Sequence, residues 1–140
     1  MDTGSTSTMR VKLWPQTYAV ARLRALPDNM AFLEADEAPA ALVVRHGDIT
    51  ALAPEASLAL LGDVAIEVEH GWRALTLDTT VSFGTIGLLA AATRALAEVG
   101  VPVLAFASFA TDHFLVPEGQ VGRAMAALNQ AALERFLGPR

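Results

Sequence analysis

Two short stretches of this chain carry residue types that could do chemistry. The first is Asp112, which opens the run Asp-His-Phe-Leu-Val. A carboxylate at the head of an apolar strand is costly to bury without a partner. It can cap the turn Phe109–Thr111 through an Asx-type hydrogen bond, or it can await a cationic group such as the ammonium of an amino acid. The second is Gly84-Thr85-Ile86-Gly87, which opens a helix whose first N–H groups have no intrahelical acceptor and could hold an anion. No Lys-Ser/Thr pair follows, and the spacing is not Gly-x-Gly-x-x-Gly, so this is neither a phosphate loop nor a dinucleotide fingerprint. It can equally be a tight strand-to-helix connection, with Gly87 letting the helix approach the sheet. A helix start for a carboxylate and an aspartate for an ammonium would together recognise a zwitterion.

Other chemistry is sparse. Cysteine is absent, which removes disulfides, thiolate metal sites and thiol nucleophiles together. His46, His70 and His113 stand in separate segments without the spacing of helical zinc ligands; His46, beside a turn, and His70, before Gly71, are read as solvated loop residues. Ser108, Asp112 and His113 form a triad only on paper. There is no Gly-x-Ser-x-Gly elbow, and adjacent strand residues point to opposite faces. The expectation is therefore no catalytic residue, no metal and no cofactor.

Of the 140 residues, 53% are hydrophobic and 18% charged, enough to bury a core and too apolar for disorder. The net charge of −5 excludes a basic face for a phosphate backbone, so no nucleic-acid partner is expected. The polar start MDTGSTSTM lacks the pattern of a signal peptide, and no apolar run reaches the roughly 18 residues of a membrane span. A cytoplasmic, non-membrane protein is expected. Residues 1–70 hold five basic and ten acidic side chains against five of each in 71–140, so the halves differ in kind.

The elements that must position these residues follow from periodicity. Trp72–Asp78 alternates like a strand, and Ile86, Leu89, Ala90, Thr93, Leu96 and Ala97 recur at helical spacing. Gly100 then falls where a left-handed C-terminal residue belongs. Val101–Ser108 and Asp112–Val116 read as a hairpin, and Gln120–Leu137 as a helix with Val121, Met125, Leu128, Ala132 and Phe136 on one stripe. This is a ferredoxin-like unit missing only its last strand. The front half echoes it weakly: strand Thr17–Arg24, an acidic connection Leu26–Pro39, hairpin Ala41–Arg45 with Ile49–Ala53, two helical turns over Glu55–Leu61, and strand Val64–Glu69. The predicted fold class is α+β, with two βαββαβ-like units, the first degenerate. The expected division is a disordered tail over 1–10, a degenerate unit over 11–70 and a full unit over 71–140, with exchange of strands between units left open by chain order. Short strands apolar on at least one face also point to internal pairing of the units, with a homodimer formed on top.

The ordered stretches Gly71-Trp72-Arg73-Ala74-Leu75, Phe83…Gly87-Leu88-Leu89-Ala90, Leu96-Ala97-Glu98…Gly100-Val101-Pro102-Val103 and Ser108-Phe109-Ala110-Thr111-Asp112-His113-Phe114-Leu115-Val116 resemble a family of small bacterial tandem ACT-domain proteins. In front, Tyr18–Leu23 and Val44–Glu55 resemble that family more loosely, and the CASTOR arginine sensors are a more distant resemblance. The resemblance implies ACT-type units side by side and a non-catalytic amino-acid sensor with its ligand at their junction. It places that ligand against the loop entering the first helix (Thr85, Ile86, Gly87, Leu88), against Thr111 and Asp112, and against Thr50 and Ala51 of the first unit. Here Ala110 and His113 stand where the family pattern has aspartate and tyrosine. The alternative is an ACT-like scaffold that oligomerises or docks to a partner and binds no small ligand, because fold alone does not establish a site.

Overall fold

The computed structural model describes residues 9–79 and 87–137. Along the chain run β1 (Met9–Leu23), a 3-10 turn (Ala31–Leu33), β2 (Ala41–Arg45), β3 (Asp48–Pro54) and α1 (Glu55–Leu58). After a second 3-10 stretch (Ala59–Val64) come β4 (Ala65–Thr79), α2 (Leu88–Glu98), β5 (Leu104–Ala107), β6 (Asp112–Pro117) and α3 (Val121–Leu137). The chain divides into an inserted unit, Trp14–Ala74, and a split unit made of residues 1–13 and 75–140.

This division differs from boundaries drawn at residues 10 and 70, and the two 15-residue strands explain why. The strand expected over Thr17–Arg24 begins at Met9, eight residues early, so residues 9 and 10 are strand rather than tail. The strands expected over Val64–Glu69 and Trp72–Asp78 are one continuous strand, β4. Each long strand spends part of its length in either unit.

In the inserted unit the strands lie in the order β2-β3-β1-β4. The register pairs Ala19 with Ala53 and Ala21 with Ala51, antiparallel. These four alanines are fully buried with Leu23, Phe32 and Leu58. Small side chains on the sheet let a single 3-10 turn and a four-residue helix cover it closely, and Phe32 supplies most of the volume. The expected weak connection at Leu26–Pro39 is that turn. Inside it Asp36 accepts from Gln16 Nε2 at 2.7 Å and from the Ala38 amide at 3.0 Å. The buried hydroxyl of Tyr18 donates to the carbonyl of Pro39, as a tyrosine with no exposed surface must find an acceptor.

In the split unit the order is β1-β4-β6-β5. The strand that seemed missing from the second half is therefore supplied by the start of β1, whose Val11 and Leu13 pack on the core of this unit. That core holds Leu75 and Leu77 from β4, Phe114 and Val116 from β6, Ala92 and Leu96 from α2, and Ala124 and Leu128 from α3. The buried face of α2 is Leu88, Ala92 and Leu96, which shares only Leu96 with the stripe expected from spacing. Leu89 is 46% exposed and Ala90 and Ala97 face water. With so many alanines in α2, spacing alone does not distinguish one face from its neighbour. On α3, Val121, Met125 and Leu128 lie on the inner stripe as expected, joined by the buried Ala124, which the spacing did not single out, and the side chains of Ala132 and Phe136 lie outside those described.

The end of α2 shows a backbone device legible in the sequence. The amide of Gly100 donates to Ala97 and that of Val101 to Leu96, both at 3.0 Å. Gly100 takes φ +73° between them. This is a Schellman cap, with Leu96 and Val101 buried as its hydrophobic pair.

Candidate functional site

The β5–β6 hairpin carries the polar groups of the split unit. Its turn is closed by Ser108 and Thr111. The Ser108 amide donates to the Thr111 carbonyl at 2.9 Å, the two hydroxyls lie 2.9 Å apart, and the Thr111 amide donates to the Ser108 hydroxyl at 3.3 Å. The hydrogen bonding continues inward. Thr111 Oγ1 lies 3.0 Å from His113 Nε2, and His113 Nδ1 lies 2.9 Å from Thr76 Oγ1 on β4. The ring of Phe106 on β5 packs beside the imidazole, with centroids 5.1 Å apart.

His113 lies within β6 and is 6% exposed. Phe114 and Val116 enter the core, so the period of two puts His113 on the other sheet face, level with Thr76. The signal was present: a histidine inside an apolar strand has strand neighbours on both sides and needs partners for both ring nitrogens. Burial lowers its pKa below the ordinary histidine value, and the adjacent Asp112 carboxylate opposes this in part. The other two histidines lie in the inserted unit. His70 pairs with Glu55 at 2.8 Å, and His46 is exposed.

Asp112 is half-buried. Among the described residues no hydrogen bond reaches its side chain. The Asx-type cap is thus not what holds the turn, because Ser108 and Thr111 do that work. Asp112 also takes no part in the chain from Ser108 to His113, where Thr111 Oγ1 stands between the serine and the imidazole, so no catalytic triad forms.

Gly87 is the residue before α2 and adopts φ +84°, a left-handed conformation natural to glycine. It is exposed, and no side chain caps the helix. The first intrahelical bond runs from the Ala91 amide to the Gly87 carbonyl at 2.9 Å. The amides of Leu88, Leu89 and Ala90 consequently have no acceptor within the helix. The Leu88 side chain anchors this end in the core at 6% exposure. Thr85 and Ile86, with Phe83 and Gly84, lie outside the described residues, and no hydrogen bond among the described residues joins Asp112 to the start of α2.

Thr50 and Ala51 belong to the inserted unit. Ala51 has no exposed surface, and its backbone is flanked by Ala21 on one side and Leu42 on the other. It has no side-chain atom open to a ligand. Thr50 donates to Asp48 at 3.3 Å. It lines an open groove of about 390 Å³ with Val20, Arg22 and Glu67, where Arg22 and Glu67 pair at 2.9 Å. No group of three His, Asp or Glu among the described residues is placed to hold a metal ion, and no described helix is long and apolar enough to cross a membrane.

The mixed α/β architecture with its antiparallel strands is that of an ACT domain. Residues 67–130 match the family model of the ACT domain, and that stretch of the chain is similar to ACT domains. Its fold is similar to that of an Agrobacterium tumefaciens protein (20% identity, TM-score 0.71, covering 89% of this chain and 90% of that one). It is also similar to a Vibrio cholerae protein of unknown function (20% identity, TM-score 0.66, covering 89% and 91%). A third similar structure is the ligand-free regulatory subunit of aspartate kinase from Thermus thermophilus (14% identity, TM-score 0.63, covering 91% and 99%). No curated protein matches the chain in sequence.

Proposed function

We propose that this chain is a non-catalytic ACT-domain sensor that binds a small amino acid. Two groups of the split unit support the reading. Asp112 offers a carboxylate that no described side chain or amide occupies, and α2 offers amides at a start that no side chain caps. The carboxylate would take the ligand's ammonium, and the amides at Gly87 and Leu88 its carboxylate, with Thr111 beside Asp112 on the turn. The observation that carries the proposal is the half-buried Asp112, because a carboxylate kept without a partner at the head of an apolar strand contributes nothing to the fold. The similar aspartate kinase chain is itself a regulatory subunit.

The same reading takes both units as ACT-type βαββαβ modules, the inserted one degenerate in its helices. Strand orders β2-β3-β1-β4 and β5-β6-β4-β1 support it, since each set follows the same path. A thermal shift series against the twenty amino acids tests the function. Ligand binding only the native state raises stability by RT ln(1 + [L]/Kd), so one or a few amino acids should raise the melting temperature. A flat response to all twenty at millimolar concentration sinks the sensor.

The second reading, a scaffold that self-associates, is favoured by β2. This strand stands at the end of its sheet order with Val43 and Val44 each 55% exposed. An open apolar edge is a template for pairing with a second copy. Sedimentation that shows a monomer at every micromolar concentration removes this reading and leaves the first untouched.

A further inference from the structure

We propose that His113 is the positioning residue of the β5–β6 turn: its neutral ring carries a proton at Nδ1 for Thr76 and accepts the Thr111 hydroxyl at Nε2, and protonation at Nε2 reverses the hydroxyls that close the turn in front of Asp112. Each hydroxyl has one proton to donate, and a neutral imidazole has one N–H and one acceptor nitrogen. With the proton on Nδ1, every bond runs one way: Ser108 donates to Thr111, Thr111 to His113 Nε2, and His113 to Thr76 Oγ1, along contacts of 2.9, 3.0 and 2.9 Å. The Ser108 oxygen stays free to accept the Thr111 amide at 3.3 Å. With the proton on Nε2 instead, the Ser108 oxygen must accept both the hydroxyl and the amide of Thr111. Its own proton is then left only the Thr111 carbonyl at 3.5 Å. The one-way arrangement places the protons of Ser108, Thr111 and His113 in contacts of 2.9, 3.0 and 2.9 Å.

A proton added at Nε2 makes that nitrogen a donor. The Thr111 hydroxyl must then turn away from the ring toward Ser108, and the Ser108 proton must leave Thr111 Oγ1 for the longer contact to the Thr111 carbonyl at 3.5 Å or for solvent. The consequence falls on residues 108–111, which lead directly into Asp112. Asp112 is the charged side chain that acts on the ring; the other described groups against it, Thr76 on β4, Phe106 on β5 and Thr111 on the turn, carry no charge. An imidazolium one residue from Asp112 also competes with any cationic group for that carboxylate. This last consequence rests on the sensor reading above, whereas the turn mechanism does not.

The test uses the full chain, labelled with 15N, titrated from about pH 8 to about pH 5, a window that spans ordinary histidine titration. The imidazole nitrogens of His113 should report the Nδ1–H tautomer at high pH. The amide shifts of Ser108 and Thr111 should move with the same midpoint as the ring. In Thr111→Val the ring should still titrate, while exchange of the Ser108 amide should rise about tenfold as local opening of the turn becomes easier. His113→Gln should abolish the coupled shift of both amides; if that variant fails to fold, Thr76→Val, which removes the acceptor of the Nδ1 proton, should instead move the ring toward the Nε2–H tautomer at high pH. An Nε2–H tautomer in the native chain, or turn amides that stay constant while the ring titrates, overturns the proposal. In a second arm, the amino acid giving the largest melting shift should bind progressively more weakly at acid pH to the native chain and with little pH dependence to His113→Gln. Should no amino acid bind, the sensor reading fails and the nuclear magnetic resonance arm still decides the turn.

Discussion

Thr76 Oγ1 and His113 Nδ1 stand 2.9 Å apart, and the two side chains are 5% and 6% exposed. A hydrogen bond this well shielded from water stitches β4 to β6 and keeps an ionisable ring away from solvent.

Stability should therefore fall in mild acid. The folded pKa of His113 lies below the ordinary value near 6.5 because burial penalises the cation. The unfolded chain takes up the proton first as pH falls, so stability is fully present above about 6.5 and is lost progressively below it. Melting temperatures measured from neutral to acid pH should drop more steeply for the native chain than for His113→Gln. Parallel curves would contradict the assignment.

Asp112→Ala should weaken amino-acid binding by about ten- to a hundredfold, because charge-assisted hydrogen bonds contribute roughly 1.5–3 kcal/mol. Asp112→Asn should cost nearly as much, since an amide accepts without carrying charge. Neither variant should lower the melting temperature at neutral pH appreciably, because no hydrogen bond among the described residues depends on this carboxylate. Calorimetric titration of both variants against the native chain, using the amino acid found by thermal shift, checks the pair. Unchanged affinity in both removes Asp112 from the site.

Tyr18→Phe should destabilise the inserted unit by about 1–3 kcal/mol, the cost of leaving the Pro39 carbonyl without its buried donor. Burial, aided by Asp36, raises the Tyr18 pKa well above the ordinary tyrosine range. The neutral hydroxyl is thus the form that the fold accepts. Its contribution is present below about pH 10 and is lost as pH rises beyond it. Alkaline denaturation followed by circular dichroism should be less steep in the phenylalanine variant.

Leu96→Ala should cost about 2–5 kcal/mol, as for other fully buried leucines whose removal leaves a cavity. Gly100→Ala should cost roughly 1 kcal/mol for a different reason. A methyl group there meets no atom within 4 Å, so the penalty comes only from the left-handed backbone. Urea denaturation of the two variants separates a packing loss from a backbone loss in the same helix end.

Much of this protein was legible one stretch at a time. Local rules act over a few residues: short apolar runs on either side of a turn marked the hairpin that became β5 and β6, Gly100 marked the end of α2, and the acidic stretch Leu26–Pro39 announced a connection with a turn or two of helix at most. Asp112 and the start of α2 stood out because a carboxylate before an apolar strand and glycines before a helix are local anomalies. The buried face of α2 was not legible, since alanine at five of its eleven positions leaves helical spacing with little contrast.

The sequence by itself determined the element types, the ACT resemblance and the two polar features worth testing, all of which depend on neighbours within a turn or a strand. Only the tertiary structure decided that the start of β1 completes the split unit, because pairing between strands some sixty residues apart along the chain is set by the sheet as a whole. It also decided the surroundings of His113. Thr76 comes from 37 residues away to meet the ring, and a histidine becomes a buried, doubly hydrogen-bonded group only when a strand that distant in sequence lies beside it.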